Sequence, residues 1–85
     1  MLRITRKAPD SSRLTLILEG NIASDWVSVL EKECLNAMEE TPVVRLDFSE
    51  VTSLDRRGVE LLRRLQKAGV QIVHASSVIK GLLGE

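Results

Sequence analysis

Residues 43–58, VVRLDFSEVTSLDRRG, combine a strand pattern, a polar stretch and the start of a helix. Residues 43–48 alternate and are rich in β-branched side chains, which predicts a strand. The mainly polar residues at 49–54 predict a short loop, with Val51 and Leu54 as its apolar anchors. Asp55 then stands directly before an amphipathic segment, where its carboxylate can accept the unpaired N–H groups of a first helical turn. The segment therefore predicts a strand, a loop and a capped helix in succession.

The same patterns assign structure to the rest of the chain. Alternating apolar residues indicate strands, turn residues at 8–12 indicate a hairpin, and an apolar stripe at four-residue spacing indicates a helix that Ser24 or Asp25 caps. Gly69 is expected to end the second helix, and Ser76 or Ser77 to cap the last one. In chain order the further elements are expected at 2–6 (strand), 14–19 (strand), 26–38 (helix), 55–68 (helix), 70–74 (strand) and 78–83 (short helix).

The element order β-β-α-β-α-β-α predicts one α/β domain over residues 1–85, with a four-stranded mixed sheet and helices packed mainly on one face. Each of the two longer helices has one apolar side, so both can cover the same face of the sheet. The third and fourth strands are apolar at nearly every position. We therefore expect the second face to expose Val and Ile, and a partner protein or a second copy to cover it.

Composition excludes several classes of function. Twelve basic and twelve acidic residues give a formal net charge of zero, which implies no general attraction to nucleic acid or anionic lipid. One Trp, one Phe and no Tyr leave few rings for stacking on bases. No apolar run has the length of a signal peptide or a membrane span, so we expect a cytoplasmic protein without direct membrane insertion.

The residues that could carry chemistry stand apart from one another in the sequence. Asp47 and Asp55 have no nucleophile or His close by and are interpreted as a strand-end carboxylate and a helix cap. His74 and Cys34 lack the further ligands that a metal site needs, and Cys34 falls on the apolar side of its helix. We therefore expect no enzyme activity, no cofactor and no metal.

Arg56 and Arg57 are unusual at the start of a helix. Cations there oppose the helix dipole by about 0.3–1 kcal/mol each, which points to a surface kept for binding, for example an acidic partner. A solvated pair that is tolerated at a screened helix end is the alternative, and the sequence leaves it open. Arg63, with Arg64 and Lys67, extends the basic character along the helix. An alternative is a nucleic-acid or nucleotide binder, although zero net charge and the lack of a helix-turn-helix order argue against it.

Four segments in this order, at residues 16–22, 42–51, 59–65 and 69–72, resemble STAS domains, the sulfate transporter and anti-sigma factor antagonist family. The resemblance implies a domain that binds other proteins through the loop at 49–54 and the helix start at 55–58. Family members usually carry a phosphorylated Ser or Thr directly after the Asp. In this chain that position is Arg56, so the resemblance implies an interaction module that works without phosphorylation there.

The resemblance also implies the partners. They would be a regulatory protein such as an anti-sigma-like kinase, a signalling assembly or an ABC lipid transporter that the chain serves as an accessory subunit, and a homodimer is a further expectation. An alternative within the family is a phosphoregulated antagonist that uses another hydroxyl, such as that of Ser53. Gly58 is expected to allow a close backbone approach. The expected partner-binding residues are Ser53, Asp55, Arg56, Arg57, Gly58 and Arg63.

Overall fold

The computed structural model describes residues 1–84 and has the predicted order of elements. The elements are β1 (Leu2–Asp10), β2 (Arg13–Ile22), α1 (Asp25–Glu40), β3 (Val43–Leu54), α2 (Arg56–Lys67), β4 (Gln71–Val73) and α3 (Ser77–Leu82). Most boundaries agree with the sequence patterns to within two residues, whereas the first three strands are longer than predicted.

The four strands form one mixed sheet in the order β1-β2-β3-β4. β1 and β2 form an antiparallel hairpin, whereas β2, β3 and β4 are parallel, so that α1 and α2 each connect two parallel neighbours. All three helices contribute to a single buried cluster on one side of the sheet. Its fully buried members include Leu16, Phe48, Leu30 and Leu61. The predicted α/β class, with helices on one face, is confirmed.

The predicted loop at 49–54 is wrong, because β3 continues through it to Leu54. β2 also continues past Gly20, so the backbone of residues 50–54 pairs with the end of β2. An extra residue of β3 is accommodated at each of two bulges, which break the strict alternation of side chains. Val51 consequently points into the core, while Thr52 and Ser53 are both exposed. The sequence pattern resembled a loop because the bulges disrupt its period of two.

The expectation that the second face of the sheet exposes Val and Ile is met only in part, because Ile17, Val43 and Val73 lie on this face but are half-buried. Successive side chains of a strand point to opposite faces, and the residues opposite the core are mostly polar or charged. Arg45 and Asp47 occupy this face of β3, and Arg45 donates a hydrogen bond to Gln71 of β4 at 3.0 Å. The exposed large apolar side chains lie elsewhere in the described chain, at Met1, Val29, Leu35, Val78 and Leu82. The second face of the sheet is therefore mostly polar, with a smaller half-buried apolar part.

The helix ends follow the capping residues of the sequence. Asp55 and Ser76 each accept a hydrogen bond from the first turn of their helix, and Gly69 ends α2 with a positive φ of 104°. Cys34 is fully buried in α1, and this burial raises the pKa of its thiol to about 12, with a smaller contribution from Glu33. Cys34 is thus a core residue, as its helical position predicts.

Candidate partner-binding surface

The carboxyl end of β3 enters α2 directly beside the connection from β2 to α1. We call these two segments, residues 21–24 and 49–58, the junction surface. Asn21 joins them through its side chain, because its Oδ1 accepts hydrogen bonds from the hydroxyls of Thr52 at 2.6 Å and Ser53 at 2.9 Å. The backbone N–H of Asp55 also donates to the carbonyl of Ile22 at 3.2 Å. The surface is therefore held by bonds between segments far apart in sequence.

Asp55 connects the starts of both long helices. Its Oδ1 accepts from the N–H of Gly58 at 2.8 Å, which caps α2, and its Oδ2 accepts from the N–H of Ser24 at 2.9 Å. These bonds stabilise the ionised form and hold the pKa of the carboxyl below its ordinary value, with Arg57 adding a smaller effect. Asp55 is a structural carboxylate whose two oxygens are already occupied.

Gly58 lies in the first turn of α2 and is buried against the end of β2. A Cβ atom at this position would stand 2.7 Å from the carbonyl oxygen of Ile22 and 3.2 Å from that residue's side chain. Real Cβ atoms do not approach an oxygen this closely, so only glycine fits without a shift. The close backbone approach expected at Gly58 is therefore made to Ile22 of the same chain.

The arginines of α2 project from this base into solvent. The side chain of Arg56 is 92 % exposed and forms an i,i+4 ion pair with Glu60 at 3.5 Å. Arg57 and Arg63 are also exposed, and neither has an ion pair among residues 1–84. Arg63 stands two turns after Arg56, about 10 Å further along the helix axis. The structure thus groups Ser53, Asp55 and Gly58 with the first two arginines, whereas Arg63 extends the charge along α2.

The described residues offer no reactive constellation at the junction surface. The hydroxyl of Ser53 is engaged with Asn21, and residues 1–84 contain no group of three or more His, Cys, Asp or Glu side chains placed to hold a metal ion. A cavity of about 250 Å³ lies at the opposite end of β3, where Val44, Met38 and Val70 line it. No helix within residues 1–84 has the length and apolar character to cross a membrane. The cavity of about 250 Å³ is therefore not part of the junction surface.

Two residues of the junction surface were missed by the sequence patterns. Asn21 follows a glycine and was expected to end β2, but it receives two hydroxyl hydrogen bonds from β3. Ser24 or Asp25 was expected to cap α1. Ser24 occupies the N-cap position, but its hydroxyl makes no capping bond. Both roles depend on the pairing between β2 and the extended part of β3. The predicted loop at 49–54 concealed that pairing.

No protein-family model and no curated protein sequence matches the chain. Solved structures do match it. The unphosphorylated anti-sigma factor antagonist SpoIIAA superposes with a TM-score of 0.72 at 13% identity, covering 96% of this chain and 82% of that one. The chain has the STAS-domain fold. A STAS-domain antisigma-factor antagonist from Rhodobacter sphaeroides gives a TM-score of 0.60 at 20% identity, with coverage of 89% and 92%.

A third similar structure, a DUF3478-family protein with a SpoIIAA-like fold from Shewanella loihica, gives a TM-score of 0.63 at 13% identity and covers 94% of this chain and 71% of that one. At identities this low, the matches establish a shared fold and not a shared function, because unrelated functions can use the same architecture. The fold implied by the sequence resemblance is therefore confirmed. The function has to be argued from the junction surface itself.

Proposed function

We propose that this chain is a single, non-enzymatic STAS-type interaction domain of the anti-sigma factor antagonist kind, which binds a regulatory protein through the junction surface. Arg56 and Arg57 contact an acidic region of that partner, Arg63 extends the contact, and Ser53 contributes a polar edge. Asp55 and Gly58 hold the arginines in place. Two of the similar structures are themselves described as anti-sigma factor antagonists, which supports this class of function.

The observation that carries the proposal is a pair of arginines at a helix start whose backbone is held by Asp55 and Gly58. Arg56 and Arg57 lie in the first turn of α2, where the helix dipole disfavours them, and no acidic residue accompanies them in that turn. Stability alone would favour Asp, Glu or Ser at these positions. The exposure of the pair and the bonds that anchor its backbone are what a binding surface requires.

The charge of this surface is permanent. Guanidinium groups stay protonated at any physiological pH and present a planar fork of donors that matches carboxylates. The hydroxyl group usual at position 56 in STAS domains is replaced, and the Ser53 hydroxyl beside it is bonded to Asn21. The partner would therefore meet a constant positive surface, and regulation would act on the abundance or state of the partner.

The experiment is affinity capture from the lysate of the native host, with wild type compared with Arg56→Glu/Arg57→Glu by mass spectrometry. Arg3→Glu/Lys7→Glu is the matched control, because it makes the same change of charge on exposed residues of β1, away from the junction. We expect a partner that wild type and the control retain and that the Arg56/Arg57 variant loses.

A partner retained equally by all three proteins would contradict this surface as the binding site. Loss of binding in the control as well would indicate a general charge effect, which also contradicts it. Mass spectrometry of this protein purified from its native host tests the phosphoregulated alternative. A phosphate on Ser53 would mean that the chain itself is regulated by phosphorylation. A captured nucleic acid, released steeply by salt, would instead favour the nucleic-acid interpretation.

A further inference from the structure

The zero net charge of the chain conceals a strong separation of charge between the two long helices. α1 carries five acidic side chains and one lysine, a net charge of −4, and α2 carries five basic side chains and one glutamate, a net charge of +4. The rest of the chain carries six of each sign. The whole imbalance therefore lies on one layer of the molecule.

The two helices lie side by side in that layer. Both cover the same face of the sheet and contact each other, and Arg64 of α2 donates to Glu31 of α1 at 3.2 Å. They run in the same direction, since each connects two parallel neighbouring strands. The outer surface of the helix layer thus has an acidic half and a basic half, and every exposed position of α2 is charged.

Internal ion pairs leave much of this charge unmatched. Arg64 pairs with Glu31, Arg56 with Glu60, and Glu40 with Arg6. Among the described residues, Glu33 and Glu39 of α1 and Arg63 and Lys67 of α2 form no ion pair. Both halves of the surface therefore keep side chains available to a binding partner.

An exposed leucine lies at the groove between the halves. Leu35 is 51% exposed and follows Glu31 by four residues, so it stands one turn further along the side of α1 that faces α2. An exposed leucine between two charged helices is not explained by packing within the chain. Leu35 therefore suggests that the groove between α1 and α2 contacts another molecule.

We propose that the helix layer binds a second copy of the chain as a two-fold symmetric dimer. A two-fold axis along the groove, lying in the plane of the outer surface, places α1 of each copy against α2 of the other. Acidic halves then meet basic halves twice, and the two Leu35 side chains meet near the axis. A second copy presents opposite charge to both halves of the surface, whereas a uniformly acidic or basic partner would complement only one half.

The dimer is weak and sensitive to salt. Exposed ion pairs contribute at most about 1 kcal/mol each, and screening shortens their range from about 10 Å at 0.1 M salt to about 3 Å at 1 M. Burial of Leu35 adds an apolar contact that salt does not weaken. Since Arg63 belongs to both surfaces, the dimer also covers part of the surface proposed for the partner.

Sedimentation equilibrium of the purified protein, with no partner present, tests the dimer independently of the proposed function. Glu33→Lys/Glu39→Lys brings the net charge of α1 from −4 to zero, and Arg63→Glu/Lys67→Glu brings that of α2 from +4 to zero, so each variant loses the attraction that depends on the altered helix. Each variant alone is expected to dimerise at least about tenfold more weakly than wild type, whereas an equimolar mixture of the two forms a heterodimer. A chain with all four substitutions has no net charge on either helix and is expected to dimerise more weakly than wild type.

Leu35→Ser is expected to weaken dimerisation, and Val78→Ser is its control because Val78 is 73% exposed on α3, outside the proposed interface. Circular dichroism of each variant checks that the fold is retained. A monomer at all concentrations in low salt would overturn the proposal. So would a dimer that neither salt nor these variants alter, because its interface would lie elsewhere.

Discussion

The two long helices start next to each other and are secured in different ways. α2 has Asp55 at its N-cap, in extended backbone geometry and with a carboxylate that accepts from Gly58. α1 has Ser24 at its N-cap with φ 53° and ψ −130°, and the Ser24 hydroxyl makes no capping bond. The N–H of Ser24 donates to Asp55 instead. A single carboxylate therefore holds the starts of both helices.

The charges in the first turns favour α1, whereas the capping bonds favour α2. The first turn of α1 contains Asp25, which the helix dipole favours, whereas the first turn of α2 contains Arg56 and Arg57, which it disfavours. The better capped helix thus carries the unfavourable charges. Asp55 and Gly58 fix the backbone at this helix start, and the proposed binding role rests on the arginines beside them.

The largest expected effect is at Gly58. Gly58→Ala should lower the free energy of unfolding by about 1–3 kcal/mol, because the added Cβ would overlap the Ile22 carbonyl 2.7 Å away. The overlap outweighs the gain in helix propensity. Urea unfolding followed by circular dichroism measures the change.

Gly81→Ala is the matched control, since Gly81 also lies in a helix and an added Cβ there meets no atom within 4 Å. This variant should be more stable than wild type by about 0.5–1 kcal/mol. Equal effects at the two glycines would contradict the role given to the contact with Ile22.

Asp55→Ala should have the next largest effect, because it removes the cap of α2 and the acceptor for Ser24 together. We expect the Tm to fall by about 4–8 °C. Asp55→Asn should fall between the alanine variant and wild type, since an amide oxygen still accepts one N–H but its NH₂ group cannot accept the other. Thermal unfolding at neutral pH measures both. An asparagine variant as stable as wild type would show that the bond from Ser24 contributes little.

Local patterns in the sequence were sufficient for the helices and for the caps of α2 and α3, but not for the cap of α1. Asp55, Gly69 and Ser76 were each predicted from one residue type next to an apolar stripe, and each was confirmed. The apolar spacing and capping residues of a helix lie within a short segment, so a helix can be recognised without knowledge of the rest of the fold. The fold class followed from the order of these elements and from the resemblance to STAS domains.

The extension of β3 was not predictable in the same way. Residues 49–54 form a strand because the end of β2 lies beside them, and the two bulges are a property of that pairing. The roles of Asn21 and Ser24 follow from the same contact between distant segments. The candidate arginines and the Asp55 cap could be found from the sequence because they depend on local rules, whereas the contacts of Asn21 and Ser24 with the second segment could not.

Ser24 gives a smaller test of the same comparison. Its φ of 53° with ψ −130° is a conformation that strongly favours glycine, so Ser24→Gly should stabilise the protein by about 0.5–1 kcal/mol after the entropy of the unfolded chain is included. Ser24→Ala should change stability by less than about 0.5 kcal/mol, because the hydroxyl caps nothing. Urea unfolding compares the three proteins. A serine-to-alanine loss equal to that of Asp55→Ala would mean that α1 is capped by Ser24 after all.

The smallest expected effect is the contribution of Asp55 to acid stability. Hydrogen bonds from Ser24 and Gly58 lower the pKa of this carboxyl in the folded chain below its unfolded value, so its contribution is present above the unfolded value and is lost as the pH falls through the folded one. As the pH falls below about 5, the stability of wild type should therefore decrease more steeply than that of Asp55→Asn. Asp10, whose pKa the hydrogen bonds of Ser12 and the Arg13 side chain lower to about 2, remains in both proteins, and the variant should keep part of the slope. Parallel curves for wild type and variant would show that the carboxylate joining the two helix starts is not stabilised by its charge.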